Sequence, residues 1–79
     1  MSGILVDARG HRCPVPSLRL RRALDRAAPG TIVTLLADDP LARIDVPHLI
    51  GAGPHRLLET AATPEGLRFS VETGAPPTG

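Results

Sequence analysis

The spacing of apolar and polar residues changes several times along this chain, and these changes divide it into secondary structure elements. The runs GILVDA and TIVTLLA are short, apolar and rich in branched side chains, which predicts two strands, the first ending near Asp7. Residues 14–28 show helical spacing and end at an Ala-Pro-Gly stop. Near the C-terminus, HRLLETAA and LRFSVE flank the turn TPEG, which predicts a hairpin.

A second helix is predicted in the segment RIDVPHLIGAG. Asp39 and Pro40 favour a helical turn, and Asp45 then caps a restarted helix that has Pro47 in its first turn. The order strand, helix, strand, helix, strand, strand predicts an α/β two-layer sandwich. In this fold both helices lie on one face of a four-stranded mixed sheet. We expect residues 1–73 to form a single domain and residues 74–79 a loose C-terminal tail.

The first predicted helix has an inner and an outer apolar side. Its inner stripe, expected to face the sheet, consists of Leu20, Ala23, Leu24 and Ala27. Val15 and Leu18 fall outside that stripe, on the side shared with Arg19, Arg22 and Arg26, while Arg21 borders the other edge. We interpret this outer side as a docking surface for a partner with an acidic rim. The alternative is that Val15 and Leu18 cover a sheet edge and the arginines form a solvated face.

Charge is unevenly distributed in the 79 residues. The net charge is +1, yet residues 9–26 contain six arginines and one acidic residue, Asp25. Such a region attracts nucleic acid or an acidic protein surface. Phe69 is the only aromatic residue, so unpaired bases have no stacking platform, which argues against RNA binding. No apolar run approaches the roughly 20 residues that cross a bilayer, and no secretory leader is recognisable, so we expect a cytoplasmic protein.

The single cysteine, Cys13, lies between an arginine-glycine turn and two prolines. If Pro14 is the first helical residue, Cys13 is the N-cap, and the helix dipole favours its thiolate. Arg9 and Arg12 add positive charge, Gly10 forms the turn, and Pro14 and Pro16 stiffen the backbone. The alternative is a small buried side chain, which is the usual state of a free cysteine.

Several reactions are disfavoured for this thiol. The chain lacks a Cys-x-x-Cys pair, so disulfide exchange within one molecule has no resolving thiol. A domain of this size has little room for the cleft of a papain-like hydrolase. His11 and Cys13 alone make a poor metal site, and we expect no metal. His48 and His55 are interpreted as surface or structural residues. These exclusions favour a thiol that accepts a group and passes it on.

The stretch DARGHRCPVP resembles the Asp-x-x-Gly-x-x-Cys-Pro-x-Pro signature of the TusA/SirA family of small sulfur-carrier proteins. DPLARIDVP is similar to a second family motif, and His55 also matches by position, so the resemblance covers about residues 4–72. Two departures are His11, where the family usually has an apolar residue, and GAGPH, which weakens the second helix.

This resemblance implies a two-layer α/β fold and a persulfide on Cys13, without metal or organic cofactor. The implied partners are a sulfur donor, such as a cysteine desulfurase or a rhodanese-like protein, and an acceptor sulfur-relay protein. We also expect a monomer. From the helical pattern we expect contacts with partners through Val15, Leu18, Arg19, Arg21, Arg22 and, secondarily, Asp45. Family members serve tRNA thiolation, molybdenum-cofactor assembly or sulfur oxidation. The alternative function is a thiol-redox or regulatory binding module.

Overall fold

The computed structural model describes residues 3–12 and 15–74. Its elements follow in the predicted order, and their bounds are β1 Gly3–Asp7, α1 Val15–Arg26, β2 Ile32–Ala37, α2 Ala42–Gly51, β3 Arg56–Thr63 and β4 Gly66–Glu72. The sheet order is β1-β2-β4-β3. β1 pairs with β2 in parallel, whereas β4 pairs antiparallel with both β2 and β3. The predicted fold, a mixed four-stranded sheet with two helices, is confirmed.

The core lies between one face of the sheet and the two helices. Alternate residues of the central strands are buried and paired across the sheet, with Leu35 opposite Phe69 and Val33 opposite Val71. Because side chains alternate between the faces of a strand, this register places all four on the same side. The helices cover that face with buried stripes, which are Pro16, Leu20 and Leu24 in α1 and Ala42, Val46 and Ile50 in α2.

The predicted inner stripe of α1 is confirmed. Leu20 and Leu24 are almost fully buried, and Ala23 and Ala27 pack against the same core. Pro16 is also fully buried, which the sequence analysis did not predict. The helix ends at Arg26, two residues earlier than predicted. The cause is Pro29, because the residue before a proline, here Ala28, is disfavoured in the helical conformation.

The predicted start of α2 is wrong. The amide of Ala42 donates to the Asp39 carbonyl at 3.0 Å, and the amide of Asp45 donates to the Leu41 carbonyl at 2.9 Å. The turn at Pro40 therefore continues into the helix without a restart. Asp45 lies inside the first turn and does not cap the helix, whereas the Asp39 carboxylate accepts the Leu41 amide at 3.0 Å. Pro47 lies within the helix and not in its first turn.

The C-terminal hairpin forms as predicted, with a bulge in β3 between Leu57 and Glu59. Gly66 begins β4 at φ +137°, and a Cβ there would come within 2.6 Å of the Ala37 carbonyl oxygen. Only glycine fits this close approach of the hairpin to β2. Of the predicted tail, 74–79, only Gly74 lies within the described residues, and its amide donates to Nδ1 of His55 at 3.2 Å.

Replacing Leu20 by alanine tests the position of the core on α1. Leu20 is fully buried, so Leu20→Ala leaves a cavity and is expected to lower the free energy of unfolding by about 2–5 kcal/mol. Leu18→Ala is the matched control, because Leu18 lies on the same helix and is 58% exposed. We expect that control to change stability by less than about 1 kcal/mol. Urea denaturation followed by circular dichroism measures both, and equal losses would contradict the assigned faces of α1.

Candidate functional site

The candidate site is built where β1 and β2 end. The two strands are parallel and in register, with Asp7 opposite Leu36, so the chain leaves both strands at the same edge of the sheet. Residues 8–12 then lead from β1 to α1, and residues 38–41 lead from β2 to α2. Both helices consequently begin at this edge, as expected for helices that follow parallel strands. The parallel direction of the two strands thus places the two connecting loops side by side.

Asp7 and Arg9 fix the first part of the loop that follows β1. Nε and Nη2 of Arg9 donate to the two carboxylate oxygens of Asp7 at 2.9 and 2.8 Å, and the Arg9 amide donates to Oδ1 at 3.1 Å. These hydrogen bonds from the Arg9 side chain and amide lower the pKa of Asp7 to about 2. Because this value lies below the ordinary 3.8, the stabilisation is fully present above pH 3.8 and is lost as the pH falls through 2.

Gly10 occupies the next position of the loop and adopts φ +85°, a conformation that favours glycine. Its amide donates to both carboxylate oxygens of Asp38, at 3.0 and 2.9 Å. The sequence pattern predicts Gly10 as part of this turn, but it does not indicate that Asp38 contacts it. The signal available was its position as the first residue after β2, because that end of β2 adjoins the end of β1.

Cys13 and Pro14 lie outside the described residues, so the predicted N-cap position of the cysteine is not tested. On the side before them, His11 and Arg12 are exposed and line an open groove of about 530 Å³ together with residues 38–41. On the other side, the Val15 amide donates to the Arg12 carbonyl at 2.9 Å. The residues that flank the cysteine are therefore held close together.

The start of α1 has two apolar side chains that are exposed to solvent. Val15 and Leu18 are 38% and 58% exposed, and together with Arg19 and Arg22 they line a shallow groove of about 370 Å³. We call these four residues the α1 patch. Arg19 has an internal role as well, because its Nη1 donates to the Asp7 carbonyl at 2.8 Å. This hydrogen bond links α1 to the end of β1 and fixes one edge of the patch.

Other predicted contact residues lie apart from the α1 patch. Arg21 lines a separate groove between the two helices, together with Leu49 of α2 and His55. Asp45 is half-buried in the first turn of α2. Conversely, the structure shows two exposed apolar residues that the sequence analysis did not select, Leu41 and Ile44, which are 54% and 68% exposed. They lie at the start of α2, at the same edge of the sheet as the α1 patch.

In the part of the chain that the structure describes, the histidines and acidic residues form no recognisable metal centre. Within residues 3–12 and 15–74, no group of three or more potential ligands is close enough to hold a metal ion. His55 accepts the Gly74 amide through Nδ1, which supports the structural role predicted for it. No helix in the described part of the chain is long and apolar enough to cross a membrane.

Comparison with known proteins gives one consistent result. Residues 4–73 match the family model described as Sulfurtransferase TusA. A protein named as a putative sulfur carrier protein, from Archaeoglobus fulgidus, is 40% identical over 68 residues, which are 85% of this chain and 88% of that relative. The crystal structure of a SirA-like protein from Desulfitobacterium hafniense superposes with a TM-score of 0.78 at 26% identity. It covers 91% of this chain and 99% of that one.

The family model spans nearly the whole folded part of the chain, including the loop, the α1 patch and both helix starts. The relative from Archaeoglobus fulgidus also matches most of this chain. The solved structure matches most of the chain as well and has the same fold. The chain therefore belongs to the TusA family of sulfurtransferases.

Proposed function

We propose that this protein is a sulfur carrier that takes sulfane sulfur as a persulfide on Cys13 and delivers it to an acceptor protein. The observation that carries the proposal is the family match over residues 4–73, which contain the only cysteine of the chain within a Cys-Pro-x-Pro motif. The loop before Cys13 is fixed by hydrogen bonds, which would hold the backbone that leads to the thiol. The α1 patch, which follows Cys13, would supply the contact surface for a partner.

The proposed transfer consists of two exchange steps without net oxidation. The Cys13 thiolate attacks the terminal sulfur of a donor persulfide, so that a new S–S bond forms on Cys13 and the donor leaves as a thiolate. An acceptor thiolate then attacks the terminal sulfur of the Cys13 persulfide, and the Cys13 thiolate is released. The protein adds no redox equivalents, and its part is to keep the thiol ionised and to present it to both partners.

We propose that the donor and the acceptor are proteins, because the α1 patch combines exposed apolar side chains with charged ones, as protein contact surfaces do. Val15 and Leu18 supply an apolar centre, and Arg19 and Arg22 supply charge at its border. A partner that combines an apolar side chain with surrounding carboxylates would complement this surface. A cysteine desulfurase or a rhodanese-like protein as donor, and a relay protein as acceptor, fit the chemistry of the family.

Loading with sulfur tests the central proposal. Incubation of the protein with inorganic polysulfide is expected to increase its intact mass by one sulfur atom, and dithiothreitol is expected to remove that increment. Cys13→Ser is expected to show no increment, because it lacks the attacking thiolate. A wild-type protein that stays unmodified, or that gains only oxygen atoms, would instead support the thiol-redox or regulatory module.

Charge reversal on the α1 patch tests protein docking. Arg22→Glu is expected to slow sulfur transfer from a persulfide-loaded cysteine desulfurase by about tenfold, because the exposed arginine borders the apolar contact. Loading by inorganic polysulfide needs no docking and is expected to stay within about twofold. Arg56→Glu makes the same charge change on β3 and serves as the control. If Arg22→Glu and Arg56→Glu slow the protein-to-protein transfer equally, the α1 patch is not the contact.

A further inference from the structure

We propose that Asp38 is a positioning residue for Cys13: its carboxylate fixes the backbone of the loop before the cysteine, and the thiol is thereby held for sulfur transfer. This inference rests on the proposed function, since it assigns Asp38 a part in that transfer. Asp38 lies on the segment after β2, 28 residues along the chain from Gly10, and reaches the loop only through the fold.

The hydrogen-bond geometry at Asp38 suits a positioning role. One amide, that of Gly10, donates to both carboxylate oxygens at 3.0 and 2.9 Å, so the carboxylate faces the loop symmetrically. Such a bond is stronger when the acceptor is ionised. Gly10 holds φ +85°, and apart from its chain neighbours no atom lies within 4 Å of the place where its Cβ would be. The turn around Gly10 is closed locally by the His11 amide, which donates to the Ala8 carbonyl at 3.3 Å. The bond to Asp38 adds a tertiary contact that holds this turn against the end of β2.

Two carboxylates hold consecutive amides of this loop. Asp7 accepts the amide of Arg9 at 3.1 Å, and Asp38 accepts the amide of Gly10. Asp7 is the last residue of β1, which leads into the loop, whereas Asp38 follows the end of the neighbouring strand β2. The loop is therefore fixed from two directions. The Arg12 carbonyl, which accepts the Val15 amide, closes the far side. Only His11 and Arg12 separate Gly10 from Cys13 in the sequence, so the bond at Gly10 restricts the backbone shortly before the cysteine.

The charge of Asp38 and its positioning role predict opposite effects on the thiol. A carboxylate near a thiol disfavours the thiolate, so loss of charge alone would lower the pKa of Cys13. Loss of the Gly10 bond would instead loosen the loop and release Cys13 from its predicted N-cap position, where the helix dipole and the neighbouring arginines would favour its thiolate. The pKa would then rise towards the ordinary value for cysteine. The direction of the change therefore distinguishes the two roles.

The test is the pH profile of Cys13 alkylation by iodoacetamide in Asp38→Asn, an isosteric change that removes the charge and one of the two acceptor oxygens. We expect the midpoint to move to higher pH and the rate constant at pH 7 to fall at least about threefold. Glu65→Gln is the matched control, because Glu65 is exposed and, like Asp38, acts on Arg9 through its charge. That control is expected to stay within about twofold, and Asp38→Glu is expected to fall between Asp38→Asn and the wild type.

A second measurement needs no variant. In the wild type, hydrogen exchange of the Gly10 amide is expected to be at least about tenfold slower than that of an unstructured amide, because it is hydrogen-bonded. Exchange at the unstructured rate, or a midpoint that moves to lower pH in Asp38→Asn, would overturn the positioning role. Polysulfide loading separates this inference from the proposed function. A wild type that gains no sulfur refutes the carrier proposal, whereas the alkylation profile and Gly10 exchange decide the role of Asp38 alone.

Discussion

The parallel pairing of β1 with β2 is the constraint on which the rest of the structure depends. It brings the C-terminal ends of two strands that are far apart in sequence to one edge of the sheet. Each strand is followed by a loop and then by a helix, so the same edge receives both loops and the start of both helices. The remaining strands complete the sheet on the other side of β2, where they supply the partners of its buried residues. This pairing brings Asp38, which follows β2, within hydrogen-bond distance of Gly10, which follows β1.

Beyond the buried Ala8, the loop before Cys13 is fixed by hydrogen bonds. Arg9 and Gly10 are exposed, and their amides are held by carboxylates. Exposed charge pairs contribute little to global stability because water and salt screen them. Here they act locally, since the bonds converge on a few adjacent residues and restrict the backbone that leads to the cysteine. The backbone from Arg9 to Gly10 is thus fixed although both residues remain exposed.

Helix α1 has one side that is buried in the core and another that exposes apolar residues. Leu20 and Leu24 are buried against the sheet, whereas Val15 and Leu18 remain exposed near the cysteine. Arg19 is part of the α1 patch, and its side chain also donates to the Asp7 carbonyl. An exposed apolar surface of this kind is costly in water and is typical of sites where another protein binds. Leu41 and Ile44 continue the exposed apolar character on the first residues of α2.

The sequence by itself determined the elements of this protein, their order and the inner face of α1, because these depend on local periodicity and on residues such as Pro29 and Gly66. It also identified Cys13 as the candidate thiol and the exposed position of Val15 and Leu18. Local signals predicted the start of α2 wrongly. Asp45 is a residue type that often caps a helix, but hydrogen bonds from Asp39 onward begin α2 earlier, so Asp45 lies inside the helix. Only the tertiary structure decided the separation of Arg21 from the α1 patch, the bond of Arg19 to β1 and the bond of the Gly10 amide to Asp38. These contacts join residues of different elements, and their distances are set by strand register and helix packing, which no local pattern records.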